Sequence, residues 1–395
     1  MKKAPSIFSY LQSSHPDPRL DMEERLRLPR RLLDWFTGKP LLDGKSKRNR
    51  LGPVSYLALD IGIIGAATVA AASVATHAPL WAALPALGIL WPIQTGRLRK
   101  MQTLEGHEAA HGNFFMAGDP RRNSQRRILG LSPNDFLGEL ATSVALSPNI
   151  VDYKADHDLH HAIPSFTTKD DPDTEIVQGL RRYGRSLLNP TAYLRDFAGR
   201  LRSNLITARP VRRAMAIGVL ALLLAPLAWI PVWAWLAAVF MPWVVLFRLA
   251  GALQILSLHD WRMTKPASLQ DYADRTWARF SGVPLPARGL RGLTWLKAWA
   301  LWWSETLFVE LPFRAGVLSP DLQAHDAHHL EWLLVHNMEA LSFFQDDWRN
   351  QPYRRAEIIR DSGDPLGMVK REHWGVRSFM KLTWQNIARL GGSRW

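Results

Sequence analysis

The residue type in this sequence whose spacing most plainly indicates chemistry is histidine. Most of the 13 histidines fall into three short clusters, with the sequences HEAAH, HDLHH and HDAHH. On a helix, residues three and four positions apart share one face, so each cluster can direct its imidazoles at a common point. Neutral imidazole is a good ligand for first-row transition metals, and we therefore predict that the clusters bind metal. Their members are His107, His111, His157, His160, His161, His325, His328 and His329.

A further histidine outside the clusters, His259 in the sequence SLHDW, is predicted to be a ninth ligand. It ends the last of the long apolar segments, on the same side of the predicted membrane as the clusters. No catalytic residue beyond the metal ligands and no organic cofactor site is predicted. The remaining histidines stand alone and are predicted not to bind metal; they are His15, His77, His336 and His373.

Two long apolar stretches must position these histidines. Residues 51–96 contain no Lys or Arg and a single acid, Asp60, and residues 214–247 contain no charged residue. Because about 20 helical residues cross the hydrocarbon core, each stretch fits two helices. The first turn is predicted near residues 76–79, and the last helix is predicted to continue to about Leu258. Asp60 is predicted to lie near the interface or to face the interior of the bundle.

Basic residues flank both predicted hairpins and place the same side of the protein in the cytosol. The sequence predicts an all-α polytopic membrane protein with four transmembrane helices in two hairpins, both termini in the cytosol and a cytosolic helical cap holding the metal site. Residues 1–50 are interpreted as a basic cytosolic segment, 51–336 as the membrane domain and 337–395 as a cytosolic C-terminal segment. Residues 136–148 and 294–313 are apolar but predicted not to span, and the second segment suits a helix in the interface.

The overall composition excludes several classes of protein. The net charge of +14 is explained by basic residues on the cytosolic side of a membrane protein, and no nucleic-acid-binding module is recognisable. The sequence contains no cysteine, which excludes disulfides, thiolate zinc sites and iron–sulfur clusters held by this chain. Electrons for any redox reaction must therefore come from another protein.

Two other functions compete with a redox centre. The cluster HEAAH fits the HExxH pattern, in which His107 and His111 would hold zinc and Glu108 would act as general base of a membrane protease. That function leaves both HxxHH clusters without a role. A transporter would carry its ionisable ligands near the middle of the bilayer, whereas these histidines fall outside the predicted spans. In the redox interpretation, Glu108 and Asp158 are predicted to orient ligand imidazoles.

The three histidine clusters arranged around two membrane hairpins resemble the integral-membrane fatty acid desaturase and hydroxylase superfamily. The resemblance covers residues 51–336 and implies two iron ions bound by the nine histidines, O2 as the co-substrate and a lipid substrate, by default a fatty acyl chain. It also implies a separate electron donor such as a ferredoxin or rubredoxin, which a basic cytosolic face could recruit by electrostatic steering. Zinc cannot replace iron in such a reaction because zinc has no redox chemistry.

The resemblance does not fix the reaction. Some acyl desaturases have an Asn four residues before the histidine that follows the fourth span, and here that position is Ile255, with Gln254 adjacent. Desaturation is favoured, while hydroxylation and decarboxylative formation of a terminal alkene remain alternatives on the same scaffold. The acidic run at residues 169–175 resembles a stretch often found after the second cluster, and we expect it to stabilise the loop or a ligand and not to bind iron.

Overall fold

The computed structural model describes residues 18–38, 53–110, 112, 114–115, 120–121, 124–174, 190–268, 271–272, 274–318, 329 and 372–392. These residues are mostly helical. The helices that precede the second hairpin are α1 (Pro18–Leu26), α2 (Arg30–Thr37), α3 (Pro53–His77), α4 (Leu80–Lys100, continued by Met101–Gly106 and His107–Ala110), α5 (Pro133–Val144), α6 (Ile150–His161) and α7 (Pro190–Arg202, continued by Ser203–Thr207).

The remaining helices include the second predicted hairpin. They are α8 (Pro210–Leu224, continued by Ala225–Ala228), α9 (Val232–Trp235, Leu236–Leu246 and Phe247–Leu258), α10 (Gly292–Glu305, Thr306–Glu310 and Leu311–Gly316) and α11 (Val376–Gly392).

Three helices are long and apolar enough to cross a membrane: Val54–His77, Pro210–Ala228 and Val232–Leu258. The remaining predicted span, the second along the chain, corresponds to α4, which contains Pro85 and Pro92 and turns polar and basic over its last two turns. The prediction of four spans is therefore confirmed only to the extent of three membrane-compatible helices. Many apolar side chains on these helices are exposed on the protein surface, as contact with lipid requires.

The helices α3 and α4 form an antiparallel hairpin whose ends are joined by buried charges. Asp60 lies near the start of α3 and is fully buried. One of its carboxylate oxygens lies 2.7 Å from Nη1 of Arg97, and the other accepts a hydrogen bond from Lys100. Of the two positions predicted for Asp60, the structure therefore has the one that faces the interior of the bundle.

Hydrogen bonds between side chains and backbone carbonyls also join the two hairpins in their apolar interior. The indole N–H of Trp91 donates to the carbonyl of Ala237 over 2.7 Å. The side-chain amide of Gln94 donates to the carbonyl of Ala238 and to the hydroxyl of Thr68, both over 3.0 Å. Interhelical hydrogen bonds of this kind substitute for water in an apolar surrounding and fix how the helices cross.

The segment 136–148 lies largely within α5, which is packed inside the protein. Arg212, at the start of α8, is almost completely buried and donates to the hydroxyl of Thr142 over 2.5 Å and to the carbonyl of Ser147 over 2.7 Å. Its Nη1 also lies 3.3 Å from the Glu139 carboxylate. This buried network holds α5 against the second hairpin, and with 12 residues α5 is shorter than the roughly 20 that a span needs.

The segment 294–313 lies in α10, which has one strongly exposed apolar face. The side chains of Leu293 and Phe308 are 80% and 77% exposed, while Trp302 is buried. Such a face suits the membrane interface predicted from the sequence.

The prediction of an all-α fold is confirmed in that the described residues are mostly helical, with one short sheet beside the helices. Strands β1 (Ala278–Phe280) and β2 (Glu372–Trp374) form a two-stranded parallel sheet in which Phe280 is in register with Trp374. Strands of three residues show no alternation that a sequence pattern could reveal. The sheet connects the segment after α9 to α11, which lies in the predicted C-terminal segment and packs against α9.

The close packing of α4 against the end of α10 depends on Gly96. A Cβ atom added to Gly96 would lie 1.7 Å from the carbonyl oxygen of Ala315, which is far inside van der Waals contact. Backbones approach this closely only where one helix presents a small residue.

We expect Gly96→Ala to lower the free energy of unfolding by about 1–3 kcal/mol, because the two helices must separate to admit the methyl group. The measurement is the midpoint of thermal unfolding of the purified protein in detergent. Gly88→Ala is the matched control on the same helix, since its Cβ would meet no atom within 4 Å. Equal midpoints for the two variants would contradict the role assigned to Gly96.

Candidate metal centre

Six of the nine predicted ligands lie in the described part of the chain, and they meet at one end of the bundle. His107 lies at the end of α4, directly after a π-helical turn, and three histidines lie on α6. His259 follows the last residue of α9, and His329 is buried beside them. Unusual helical turns are common at functional sites. The other three predicted ligands, His111, His325 and His328, lie outside the described residues.

Three imidazoles form what we call the first imidazole group: His107, His157 and His161. The Nε2 atom of His157 lies 2.9 Å from Nε2 of His107 and 3.0 Å from Nε2 of His161. A ring nitrogen carries either one proton or one lone pair in the ring plane, so this atom cannot make a good hydrogen bond to both neighbours. Several nitrogen atoms directed at one another fit a cation better than they fit hydrogen bonds among themselves.

The second imidazole group consists of His160, His259 and His329. These residues can offer ligand atoms that lie within 4.8 Å of one another. Their ring centroids are 4.8–5.1 Å apart, and each residue is at most 4% exposed. Three buried imidazoles at this separation have the composition and closeness of a transition-metal site.

The HxxHH cluster of α6 contributes to both groups. His157 and His161 are four residues apart and share a face that is directed at His107. His160 is rotated by about 100° from His161 and joins the second group. The two groups touch, because the rings of His161 and His329 are 4.3 Å apart between centroids.

The Nδ1 side of His160 is held by the acidic loop that follows α6. Both carboxylate oxygens of Asp171 lie 3.0 Å from this nitrogen. Asp171 is itself held by the backbone N–H groups of Thr167 and Asp173, over 2.8 and 3.0 Å. An Nδ1–H that donates to a carboxylate leaves the Nε2 lone pair available to a metal. The acidic run at residues 169–175, expected to stabilise the loop or a ligand, thus contacts His160 through Asp171, and the role of His160 as a ligand stays a prediction.

The charge of this loop also acts on the imidazole. Burial lowers the pKa of His160, but the carboxylates of Asp171 and Asp173 raise it by more, to about 9. The negative charge that favours the imidazolium would equally favour a metal cation bound to the same ring.

Tyr272 fixes the orientation of His329. Its buried hydroxyl lies 3.1 Å from the carbonyl oxygen of His161 and 2.8 Å from Nδ1 of His329. A hydroxyl has one proton, and the carbonyl can only accept, so the Tyr272 oxygen accepts from Nδ1–H of His329. This arrangement leaves Nε2 of His329 unprotonated. Burial keeps the pKa of Tyr272 well above its usual range, so the hydroxyl retains its proton.

The two carboxylates predicted to orient imidazoles behave differently. Glu108 is fully buried, and one of its oxygens lies 3.3 Å from Nδ1 of His107, on the side of the ring away from His157. Asp158 is exposed on α6, and among the described residues it meets no imidazole.

One buried aromatic ring packs against all three imidazoles of the second imidazole group. Phe166 is fully buried, and its ring centroid lies 4.8–5.4 Å from those of the three imidazoles. Its other face packs on Tyr272 at 4.3 Å. Apolar rings around a metal site exclude water and lower the local dielectric constant.

Asn386 on α11 clamps the backbone on both sides of His259. Its side-chain amide donates to the carbonyls of Leu256 and His259, each over 2.7 Å, and its oxygen accepts from the N–H of Trp261 over 3.1 Å. This contact was not predicted, since Asn386 lies 127 residues from His259 and in no motif.

Gln254 is engaged away from the histidines. Its side-chain oxygen accepts from Nη2 and Nε of Arg99 over 2.9 and 3.3 Å. This residue therefore joins α9 to α4. Ile255, at the position where some acyl desaturases have Asn, is buried and can offer only its backbone to a polar partner.

No family model matches the chain, and no characterised protein shows significant sequence similarity to it. Its function is therefore inferred from the imidazole groups and the residues that hold them.

We expect Tyr272→Phe to weaken metal binding by about 10- to 100-fold, because His329 loses the acceptor that keeps its Nδ1 protonated. The measurement is competition for the bound metal against a chelator of known affinity. Tyr193→Phe on α7 removes a half-exposed hydroxyl and should leave the affinity unchanged. Equal affinities for both variants would mean that the Tyr272 hydroxyl does not position His329.

We expect Asn386→Ala to lower the free energy of unfolding by about 3 kcal/mol, since three buried backbone groups lose their partner. The same variant should retain less metal after dialysis against a chelator. The control is Gln385→Ala, because Gln385 is the exposed neighbour on the same helix. Full metal retention in a destabilised Asn386 variant would show that the clamp supports the fold without supporting the centre.

Proposed function

We propose that this chain is a membrane-bound, non-haem di-iron oxidoreductase that uses O2 to oxidise a lipid chain, most readily by desaturating a fatty acyl group. The observation that carries the proposal is the pair of touching imidazole groups, in which His160 and His329 have their Nδ1 atoms engaged by protein partners. Their Nε2 atoms are the ones left to bind a metal, which would displace the second proton that His160 carries near neutral pH. Hydroxylation and decarboxylative alkene formation are the alternatives on the same centre.

The donor set fits two metal ions better than one. A zinc site takes three or four protein ligands, whereas this chain has six converging imidazoles in its described residues and three more in its histidine clusters. In the proposal all nine histidines are ligands, with His111, His325 and His328 completing the two groups. When bound, a pair of irons would supply the one-electron redox chemistry with O2 that an unactivated C–H bond requires.

The chain's own residues have defined parts in this proposal. Asp171 and Tyr272 hold the protons on the outer nitrogens of His160 and His329. Glu108 lies beside the outer nitrogen of His107. Phe166 and the buried backbone around His259 exclude water from the centre. None of these groups needs to touch the substrate.

The proposed placement has four spans, with the imidazole groups and both termini on the cytosolic side. The basic residues at the end of α4 lie beside the imidazole end of the bundle, as expected for a cytosolic face. The substrate would reach the centre from the membrane between the helices. Since the chain has no cysteine, a separate ferredoxin- or rubredoxin-like protein would deliver the electrons.

The position of Glu108 favours this function over a zinc protease. The general base of an HExxH protease must face the metal-bound water, which lies on the metal-binding side of the histidines. Here the Glu108 carboxylate lies near Nδ1 of His107, whereas Nε2 of that ring is directed at His157.

We expect the purified protein to contain about two irons per chain and to convert an acyl substrate when supplied with O2, a reductase and an electron-transfer protein. Mass spectrometry of the product distinguishes the reactions, because desaturation removes two hydrogens, hydroxylation adds one oxygen and decarboxylation removes the carboxyl carbon. His160→Ala and His329→Ala should each lower turnover by at least about 100-fold.

The matched control is His77→Ala, since His77 is exposed at the opposite end of α3. This variant should retain full iron content and turnover. One zinc per chain together with peptide-bond cleavage would replace the proposal with the protease. Full turnover in either His160→Ala or His329→Ala would refute the assignment of the second imidazole group.

A further inference from the structure

A second candidate site lies where the end of α4 meets α2 and the last turn of α10. It is a small cavity of about 90 Å³, partly open to solvent. None of the six predicted metal ligands in the described part of the chain lines it. Its walls combine three cations with apolar side chains, and the residues that matter here are Trp35, Ile93, Arg97, Lys100, Arg314 and Leu318.

Positive charge is in excess around this cavity. Asp60 pairs with both Arg97 and Lys100, and Glu105 lies 3.7 Å from Lys100. Arg314 is bonded to the backbone carbonyls of Trp35 and Leu318. Even with both carboxylates ionised, these three cations leave a net positive charge among the described side chains. Lys100 and Arg314 are at most 4% exposed, and buried charge is costly unless an anion accompanies it.

Arg97 is the side chain best placed to meet such an anion. Its Nη1 atom lies 2.7 Å from Asp60, and a third of the side chain remains exposed. The described residues give no partner to its other guanidinium nitrogens. A guanidinium presents its N–H groups as a fork that matches the oxygens of a carboxylate or phosphate.

An apolar track leads from the far end of α4 to the cavity. Trp81, Pro85, Ile89 and Ile93 are spaced four residues apart and share one face of the helix. Trp81 is 80% exposed and Ile89 65% exposed, and the track is about 18 Å long at the rise of an α-helix. At its cavity end, Trp35 is half-exposed, as suits an indole at the membrane interface.

We propose that this cavity binds the anionic headgroup of a membrane amphiphile, a carboxylate or a phosphate, whose acyl chain lies along the exposed face of α4. Basic pockets beside transmembrane helices on the cytosolic side bind lipid headgroups in this way. A free inorganic anion offers the same headgroup chemistry but makes no use of the apolar track. Among the residues that the structure describes, no histidine lines the site, and the proposal does not depend on the proposed oxidation.

The test is equilibrium binding to the purified full-length chain in neutral detergent, without turnover. The probes are radiolabelled oleate and radiolabelled phosphatidylglycerol, with inorganic phosphate as the competitor. We expect saturable binding of at least one amphiphile and no displacement by millimolar phosphate. Oleate can also occupy the proposed substrate site, so the site described here is the fraction of binding that the cavity variants below weaken. The amphiphile that binds identifies the headgroup as carboxylate or phosphate.

Two variants test the location of the site. Ala315→Asp adds a negative charge to the wall of the cavity and should weaken binding by about tenfold or more. Ile93→Trp fills the cavity without changing charge and should cause a comparable loss. Ala287→Asp, in an exposed loop outside the cavity, should change the affinity less than about twofold, since solvent screens exposed charges.

Circular dichroism and gel filtration establish that each variant is folded, and a folded Ile93→Trp variant with unchanged affinity would overturn the proposal. Displacement of both amphiphiles by phosphate would also overturn the proposal. This result is measured on the unmodified protein, so it does not require either variant to fold. Because no turnover is measured, failure here leaves the proposed oxidation untouched, and failure of the oxidation leaves this site untouched.

Discussion

The arrangement of the proposed centre depends on hydrogen bonds made by the outer nitrogens of two of its histidines, His160 and His329. An imidazole has two nitrogens and one proton when neutral, so a partner on one side determines what the other side can do. For His160 the partner is the Asp171 carboxylate, and for His329 it is the Tyr272 hydroxyl. Without such partners, imidazoles packed this closely would exchange protons with one another and would present no defined set of lone pairs.

These partners come from separate parts of the chain, so the rest of the fold must hold those parts together. The loop that contains Asp171 follows α6 directly, whereas Tyr272 lies after the second hairpin and Asn386 lies on α11. The helices α4 and α9 deliver His107 and His259 to the same end of the bundle. Their mutual position is fixed by interior bonds such as the one between Gln94 and the carbonyl of Ala238.

The sequence allowed prediction of the features that depend on local patterns. The spacing of three and four residues between the histidines of HDLHH was enough to predict His160 as a ligand. The two long apolar stretches were enough to predict α3 and α9 as membrane-compatible helices. The division of one HxxHH cluster between two groups was not predicted, because it depends on where His107 and His259 arrive in space. Asn386 could not be predicted for the same reason, since a single amide with three backbone partners leaves no local pattern.

The contact between Asn386 and the carbonyl of His259 also bears on the order in which the protein matures. The two groups are 127 residues apart, so synthesis and membrane insertion of α9 precede the appearance of the amide that clamps its end. Until α11 docks, the backbone at His259 lacks its interior partner. Loading of the proposed centre with metal would therefore be a late event in biogenesis, and truncation within α11 would yield an inserted but metal-poor protein.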